Sequence, residues 1–434
     1  MNRTGSSRSR SSHRWSSSSV SVGGIAPNRR RESTTQILAD TVVAAASRKI
    51  NTQAADVAQL RLSNLKLHGR DDDIKLLRSK LRELAKKDDN KEDAAPQNNG
   101  LHAESISSNL ILVSGTSGTG KSALIQKGLG EPAAKNGYAF ASGKFDEKLL
   151  RPLSAFSDAL ANLAEYIIEE SNEKRGFSSS EGLPIATVIR NKIRIKFDEE
   201  DVEQLRRVLP GCAKLLGVGK RRHSLLSPSD VGKGALTRSA SDSKLNSLDL
   251  LAGKESISQM HYAIRRLLKV ICSCLKGVVL FIDDLQWSDT ATLDLLKSVV
   301  LDGEIPSLLT VFAYREDEVP DHHPFALHIR DLEQMNAGIT KIKIGNLDVD
   351  NATPLVAEAL GMDEDDIKVI SLAETIHKKT DGNPFFMLMF LRSLYDEKLL
   401  QYNYGALKWT WDDEAVNSKI VTENVASVLL SWKP

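Results

Sequence analysis

Residues 109–129 read NLILVSGTSGTGKSALIQKGL, and the fold class can be inferred from them. It opens on the short apolar run NLILVS, which has the length and composition of a buried strand. Three glycines follow, Gly115, Gly118 and Gly120, and SALIQKGL is then expected to form a helix. A strand, a glycine-rich turn and a helix in immediate succession form the unit from which parallel sheets with covering helices are built.

The turn satisfies the pattern G-x-x-x-x-G-K-[ST] as GTSGTGKS, residues 115–122. Glycines let the backbone wrap closely around an anion, and successive N–H groups with the helix N-terminus supply positive potential. Lys121 would then reach the β- and γ-phosphates of a nucleotide, and Ser122 would ligate Mg²⁺. The alternative is a glycine-rich turn without a ligand, which the flanking strand and helix disfavour. The predicted nucleotide-binding residues of this turn are Gly115, Thr116, Ser117, Gly118, Thr119, Gly120, Lys121, Ser122 and Ala123.

A later apolar run ends in two adjacent carboxylates. GVVLFIDD spans 277–284 and leads directly into Asp283 and Asp284. Like charges at the end of a buried strand need a cation, or a proton to be moved, beside them. Asp283 is therefore predicted to hold Mg²⁺, usually through a water, and Asp284 to orient or deprotonate an attacking water. The alternative for Asp284 is that it only opens the following loop, while Asp289 is expected to cap the helix TATLDLLKSVV.

Two further segments complete the predicted site. SLLTVFAYRED, residues 307–317, would place Arg315 at the same carboxyl edge of the sheet, where open α/β sheets bind ligands. A guanidinium there could read a γ-phosphate, and an ion pair with a neighbouring glutamate, Glu316 or Glu318, is the alternative. Further on, DGNPFFMLMFLRSLYDEKLL predicts a firm helix start, with Asn383 as N-cap and Pro384 at the first helical position.

The apolar runs alternate with helical stretches, which predicts a parallel sheet covered by helices on both faces. Five strands are expected, at 109–114, 138–146, 277–284, 307–315 and 339–347. A long insert separates the second run from the third. Its first two pieces, SDALANLAEYIIEES and DEEDVEQLRRVLPGCAKLLG, are amphipathic and predicted to be helical, whereas 219–247 is a Ser-, Gly- and Lys-rich loop.

This organisation predicts three regions. Residues 1–60 are Ser- and Arg-rich and expected to be disordered. Residues 61–350 form the ATPase core, which contains a helical insert at 150–255 with the flexible loop 219–247. Residues 351–434 form a helical lid that we expect to be truncated, because VTENVASVLLSWKP reads as the start of another helical element. Before the core, DDDIKLLRSKLREL predicts a helix, and 86–108 reads as a loop.

Composition excludes several classes of protein. Lys and Arg number 58 against 57 Asp and Glu, so no overall field favours nucleic acid or an anionic membrane. No apolar stretch approaches the roughly 20 residues of a membrane span, and the N-terminus lacks the apolar core of a secretory signal. Three cysteines are too few for a disulfide framework or a zinc site. We therefore expect an intracellular, cytoplasmic protein, with organelle targeting by the Ser/Arg-rich N-terminus as the alternative.

Taken in order, LKLHGRDDDIKLL, GTSGTGKSAL, KFD with RPLSAFSDAL, VVLFIDDLQWSDTATLDLL, LLTVFAYREDEV and GNPFF resemble a known family. They are similar, over about residues 65–430, to the origin-recognition-like AAA ATPase domains of the signal-transduction ATPases with numerous domains, the STAND class. The resemblance implies an α/β P-loop NTPase of AAA+/STAND type with a five-stranded parallel sheet, a helical insert and a C-terminal helical lid. It implies that Gly69 and Arg70 lie near the adenine, that Arg315 senses the γ-phosphate, and that Pro384 packs on the adenine.

The resemblance also implies a function. ATP and Mg²⁺ would be the cofactors, and Asp284, Lys121 and Arg315 the catalytic residues of a slow ATPase that acts as a signalling switch. Its partners would be ATP or ADP together with other proteins or a second copy of the chain, with neither membrane nor nucleic acid. One alternative is a DNA-associated origin-recognition-like AAA+ ATPase, which the near-neutral charge and the lack of a basic winged-helix segment disfavour. Another is a nucleotide-bound scaffold without catalysis, whose helical insert binds a protein.

Overall fold

The computed structural model describes residues 60–63, 65–89, 109–148, 151–172, 183–217, 254–303 and 305–419. Three expected features lie outside the described residues: the disordered N-terminal region up to residue 59, the loop at 219–247, and the terminal helical element at 421–434. Among the helices that are described, none combines the length and apolarity needed to cross a bilayer.

A five-stranded parallel sheet forms the centre of the molecule, as predicted. Its strands are β1 (Leu110–Gly115), β2 (Ala139–Lys144), β3 (Val278–Asp283), β4 (Leu308–Arg315) and β5 (Ile339–Lys343). Their spatial order is β2-β3-β4-β1-β5. In the register of the sheet, Gly115 lies beside Arg315, and Asp283 lies beside Lys144. The carboxyl ends of four strands therefore meet at one edge.

Helices cover both faces of this sheet because its central strands, β1, β3 and β4, bury residues on both faces. Leu110 and Leu112 of β1 belong to one apolar core, whereas Ile111 and Val113 belong to the core on the opposite face. This alternation follows from the two-residue period of a strand. The covering helices are α1 (Asp71–Asp89), α2 (Lys121–Ile125), α3 (Glu131–Lys135), α4 (Ser154–Asn172), α5 (Ile185–Lys196), α6 (Glu199–Val208), α7 (Ala213–Leu216), α8 (Lys254–Cys272), α9 (Thr290–Val300) and α10 (Pro324–Gln334).

The two faces carry different helices. α1, α2 and α3 pack on one face, and a π turn at Gln126–Gly130 joins α2 to α3. The helices of the insert, α4 to α7, pack with α8, α9 and α10 on the other. α1 reaches Asp89, so residues 86–89 are helical and the expected loop begins later than 86, with its remainder outside the described residues.

The C-terminal region has an apolar core of its own. It contains α11 (Val349–Leu360), α12 (Ile367–Thr380), α13 (Pro384–Asp396), the antiparallel strands β6 (Leu400–Asn403) and β7 (Lys408–Trp411), and α14 (Asp413–Ser418). The hairpin was not foreseen by the sequence analysis, which expected helices alone. The indole Nε1 of Trp409 donates to the carbonyl oxygen of Leu360 at 2.8 Å, which fixes the hairpin on α11.

The insert is joined to the sheet by one very close approach. A Cβ atom at Gly143 in β2 would lie 1.8 Å from the carbonyl oxygen of Ala155 in α4. Both partners are backbone, so neither can move without shifting its element. A glycine at this position therefore lets α4 lie directly on β2.

Gly143→Ala is expected to destabilise the fold by about 2 kcal/mol or more, because overpacking here would push α4 off the sheet. Gly303→Ala is the matched control, since a Cβ at that exposed glycine meets no atom within 4 Å. Urea denaturation of the two variants and the parent chain measures the difference. Equal midpoints for Gly143→Ala and the parent would contradict this account of the interface.

Candidate functional site

The loop between β1 and α2 has the backbone that its glycines make possible. Gly118 has φ of 82°, in the left-handed region that favours glycine, and a Cβ there would lie 2.6 Å from Oδ1 of Asn383. A Cβ at Gly115 would lie 2.3 Å from the carbonyl oxygen of Ile344. Both glycines therefore allow neighbouring elements to close on the loop.

Lys121, at the first position of α2, is folded back onto this loop. Its Nζ donates to the carbonyl oxygens of Gly115 and Thr116, each at 2.8 Å. Burial lowers the pKa of Lys121, although the nearby carboxylate of Asp283 opposes the shift. A buried ammonium group bonded to carbonyl oxygens is well placed to exchange them for an anionic partner.

Ser122 and Asp283 meet where α2 begins and β3 ends. The hydroxyl of Ser122 donates to Oδ2 of Asp283 at 2.5 Å. Burial raises the pKa of Asp283, the bond from Ser122 opposes that shift, and the neighbouring charge of Asp284 adds to it. Hydroxyl and carboxylate oxygens are ligands that Mg²⁺ prefers, and one carboxylate suffices when phosphates supply further oxygens. The donor set fits Mg²⁺ held jointly with a nucleotide.

Asp284 turns its carboxylate away from that pair. Its backbone is left-handed, with φ of 56° and ψ of 46°. Oδ1 accepts from Nε2 of Gln286 at 3.0 Å and lies 3.6 Å from Nε of Arg315, and Oδ2 lies 3.2 Å from Nζ of Lys144. The two adjacent carboxylates therefore have separate partners, and that of Asp284 is surrounded by donors.

Arg315 leaves the end of β4 and forms one of the ion pairs that the sequence left open. Its guanidinium donates to Oε1 of Glu318 at 2.6 Å. The guanidinium carbon lies 4.9 Å from the centre of the Trp287 ring, within the range of a cation–π contact. Glu316 pairs instead with Lys343, at 2.8 Å.

A cavity of about 410 Å³ opens beside these groups. Leucines of the segment before α1 and of the C-terminal region supply apolar lining, and the strand ends supply the charged lining. The predicted residues on its wall are Ser117, Gly118, Thr119, Gly120, Lys121, Ser122, Ala123, Arg70, Asp284, Arg315 and Pro384. The predicted residues Gly69, Gly115, Thr116 and Asp283 do not line it. Of these, Gly115 and Thr116 contact Lys121, and Asp283 contacts Ser122.

The first turn of α13 bonds directly to the glycine-rich loop. Nδ2 of Asn383 donates to the carbonyl oxygen of Ser117 at 2.9 Å, and the backbone N–H of Phe385 donates to that of Gly118 at 3.3 Å. Oδ1 of Asn383 meanwhile accepts from the N–H of Phe386 at 3.4 Å, as an N-cap does. One buried side chain therefore both starts the helix and fastens it to the loop.

The segment before α1 closes the third side of the site. Arg70 donates to the carbonyl oxygens of Gly345, at 2.5 Å, and Thr119, at 3.4 Å. Burial lowers the pKa of its guanidinium, which the charges of nearby aspartates partly offset. Two residues earlier, Nε2 of His68 lies 2.6 Å from Oε2 of Glu358 in α11. The segment therefore joins the loop, the end of β5 and the C-terminal region.

Sequence reasoning did not assign roles to Lys144, Gln286 or Trp287, which the structure places around Asp284 and Arg315. Lys144 could have been found, because it ends β2 at the sheet edge where the other strand ends meet. Gln286 and Trp287 could not, because their placement depends on the left-handed turn at Asp284.

Comparison with known proteins agrees with this geometry. Residues 101–311, which are 211 of the 434 residues, match the family described as the AAA ATPase domain. The chain is also 23% identical, over 383 residues, to the hybrid signal transduction histidine kinase G of Dictyostelium discoideum. That match covers 74% of this chain but only 10% of the kinase.

Matches among solved structures include two proteins and one complex, each at low similarity. A Walker-type ATPase of Pyrococcus abyssi gives a TM-score of 0.37 at 14% identity, over 86% of this chain and 76% of that one. The ORC2 protein of Aeropyrum pernix gives a TM-score of 0.40 at 9% identity, over 85% of this chain and 70% of that one. The HORMA:CdnC:Trip13 complex of Escherichia coli gives a TM-score of 0.35 at 11% identity, over 85% of this chain and 89% of the matched chain.

The five-stranded parallel sheet and the glycine-rich loop between β1 and α2 give the chain the fold of an α/β P-loop NTPase, and residues 101–311 are similar to the AAA ATPase domain family.

Asp283→Asn is expected to raise the melting temperature of the nucleotide-free, EDTA-treated chain at neutral pH. The pKa of Asp283 is raised in the folded state, so its ionised form costs stability, and that cost grows as pH rises above the unfolded value of 3.8. The gain should therefore shrink as pH falls towards that value. An amide can keep both hydrogen bonds of the carboxylate, to Ser122 and to the N–H of Asp284.

The exposed Asp158→Asn in α4 is the matched control and should change the melting temperature little at any pH. A gain for Asp283→Asn that is the same at acid and neutral pH would show that its ionisation is not the cause.

Proposed function

We propose that this chain binds Mg²⁺-ATP, hydrolyses it slowly and acts as a STAND-type signalling switch. The observation that carries the proposal is the bonding of α13 to the carbonyl oxygens of Ser117 and Gly118, in the loop that would hold the phosphates. An element that touches the phosphate loop directly can respond to what the loop holds. The similarity to part of a signal transduction kinase supports a place in signalling.

Each charged group has a role in this proposal. The loop N–H groups and Lys121 bind the outer phosphates, and Lys121 exchanges its two carbonyl partners for phosphate oxygens. Ser122 and Asp283 hold Mg²⁺, which neutralises phosphate charge when it is bound. Asp284 orients a water and accepts its proton, since its carboxylate faces the cavity and not the metal pair. Arg315 contacts the γ-phosphate after leaving Glu318.

The base end of the nucleotide would lie between the segment before α1 and the C-terminal region. In the segment before α1, Leu62 and Leu65 line the cavity. In the C-terminal region, Leu355, Pro384 and Leu388 line it. Apolar walls of this kind suit the faces of a purine ring. Because both walls close on one ligand, release of the nucleotide requires them to separate.

A switch needs a contact that differs between ATP and ADP, since a ligand shifts an equilibrium only by its differential affinity for the two states. The γ-phosphate provides such a difference at Arg315 and at the glycine-rich loop. Asn383 and Phe385 would carry it from the loop to α13 and so to the rest of the C-terminal region.

The first test is to denature the freshly purified chain and identify the released nucleotide by chromatography. Stoichiometric ADP or ATP would support a closed, slowly cycling switch. An empty site, together with no binding of added Mg²⁺-ATP by calorimetry, would contradict the proposal.

Lys121→Ala is expected to abolish nucleotide binding, because the phosphates lose the cation of the loop. Asp284→Asn should keep binding but lower kcat by at least about a hundredfold, the usual contribution of a general base. Calorimetry and release of labelled phosphate measure the two effects. The exposed Lys135→Ala at the end of α3 is the control and should leave both unchanged. Unchanged turnover in Asp284→Asn would remove Asp284 from its assigned role.

Asn383→Ala is expected to change the ratio of ADP affinity to ATP-analogue affinity by about two- to tenfold, as loss of one hydrogen bond implies. Asp366→Ala is a matched control, because Asp366 caps the neighbouring helix α12 by accepting from the N–H of Lys368. Both changes remove an N-cap, worth about 1 kcal/mol, but only the first removes a bond to the glycine-rich loop. The same ratio in both variants would argue against transmission through Asn383.

A further inference from the structure

Gln286 has a side chain that is used at both ends within the site. It lies in the 3-10 turn Leu285–Trp287 and is 5% exposed. Its Nε2 donates to Oδ1 of Asp284 at 3.0 Å, and its Oε1 accepts from the backbone N–H of Arg315 at 3.1 Å. The first contact reaches the end of β3, and the second reaches the end of β4.

The orientation of this amide is fixed by its partners. A carboxylate only accepts hydrogen bonds, and a backbone N–H only donates. If the amide were reversed, its oxygen would face the carboxylate oxygen of Asp284 and its nitrogen would face the N–H of Arg315. Both contacts would then be repulsive in a buried setting, where unmatched polar atoms are costly. Gln286 can therefore hold the two strand ends in one relation only.

The turn that carries Gln286 is itself held from a third element. The backbone carbonyl oxygen of Gln286 lies 3.1 Å from Nε2 of His323. Nδ1 of that imidazole accepts from the N–H of Phe325, at the start of α10, so the ring proton is on Nε2 and is donated to Gln286. The backbone of Gln286 is therefore anchored while its side chain spans two strands.

We propose that Gln286 is a positioning residue: it sets the direction of the Asp284 carboxylate and ties it to the strand end that carries Arg315. The inference rests on the proposed hydrolysis, in which Asp284 acts on the water and Arg315 on the γ-phosphate. Through its amide, Gln286 holds the Asp284 carboxylate in a fixed relation to the strand end from which the Arg315 side chain leaves. The group that acts on the water and the group that acts on the γ-phosphate are thereby positioned relative to each other.

A double-mutant cycle tests this coupling. Gln286→Met keeps the length and volume of the side chain but removes both hydrogen bonds. It should lower kcat about tenfold or more, the worth of a hydrogen bond to a charged group, and leave the dissociation constant for ATP within about twofold. In the Asp284→Asn background, Gln286→Met should have no further effect on single-turnover hydrolysis. Gln286 is proposed to act by positioning the Asp284 carboxylate, and that carboxylate is already absent. An equal loss in both backgrounds overturns the proposal.

A second variant separates positioning from packing. Gln286→Glu retains the shape and replaces the donor by a carboxylate oxygen that faces Asp284, so kcat should fall further than in Gln286→Met. Gln334→Met and Gln334→Glu, at the exposed end of α10, are the controls and should leave kcat unchanged. Turnover at the level of the parent in both Gln286 variants also overturns the proposal.

Absence of hydrolysis in the parent chain would contradict the proposed function without deciding the role of Gln286. A crystal structure of Gln286→Met then decides it. We expect the Asp284 carboxylate to turn from its position beside Nε of Arg315 and towards Lys144. An Asp284 side chain that keeps its parent rotamer and its contact with Arg315 shows that Gln286 does not position it.

Discussion

The register of three parallel strands is the constraint on which the rest of the site depends. β4 lies between β1 and β3, so the ends of all three reach the same edge side by side. Gly115 lies beside Arg315 in this register, and β3 ends with Asp283 beside Lys144 of β2. A shift of one residue in any strand would turn these side chains to the opposite face. The phosphate loop, the carboxylate pair and the arginine therefore come together only because the apolar residues of each strand fix its position.

Much of this could be predicted from the sequence because it depends on short-range patterns. The glycine-rich loop follows its strand directly, and Asp289 and Asn383 cap their helices at the predicted positions, accepting from Thr292 and Phe386. What could not be predicted depends on contacts between distant segments or on an unusual backbone. The hairpin after α13 has an alternation too short to distinguish from a helical turn, and the role of Gln286 depends on the left-handed backbone of Asp284.

The two walls of the cavity explain why a nucleotide could control more than its own site. The segment before α1 bonds to α11 through Arg61 and His68, and α13 bonds to the loop. Any ligand in the cavity therefore contacts elements that also contact one another. In the proposed switch, the loss of one phosphate would change a few hydrogen bonds at the loop, and the packed helices of the C-terminal region would respond as a body.

Hydrogen exchange of the backbone amides in α13 and in the 344–348 segment would show whether the C-terminal region responds to the γ-phosphate. The chain would be measured with Mg²⁺-ADP, with Mg²⁺ and a non-hydrolysable ATP analogue, and without nucleotide, each at saturating ligand. We expect protection that differs between the two nucleotides in these segments, and no such difference in Lys121→Ala. Identical exchange with the two nucleotides, in a chain that binds both, would contradict the claim that the C-terminal region responds to the γ-phosphate.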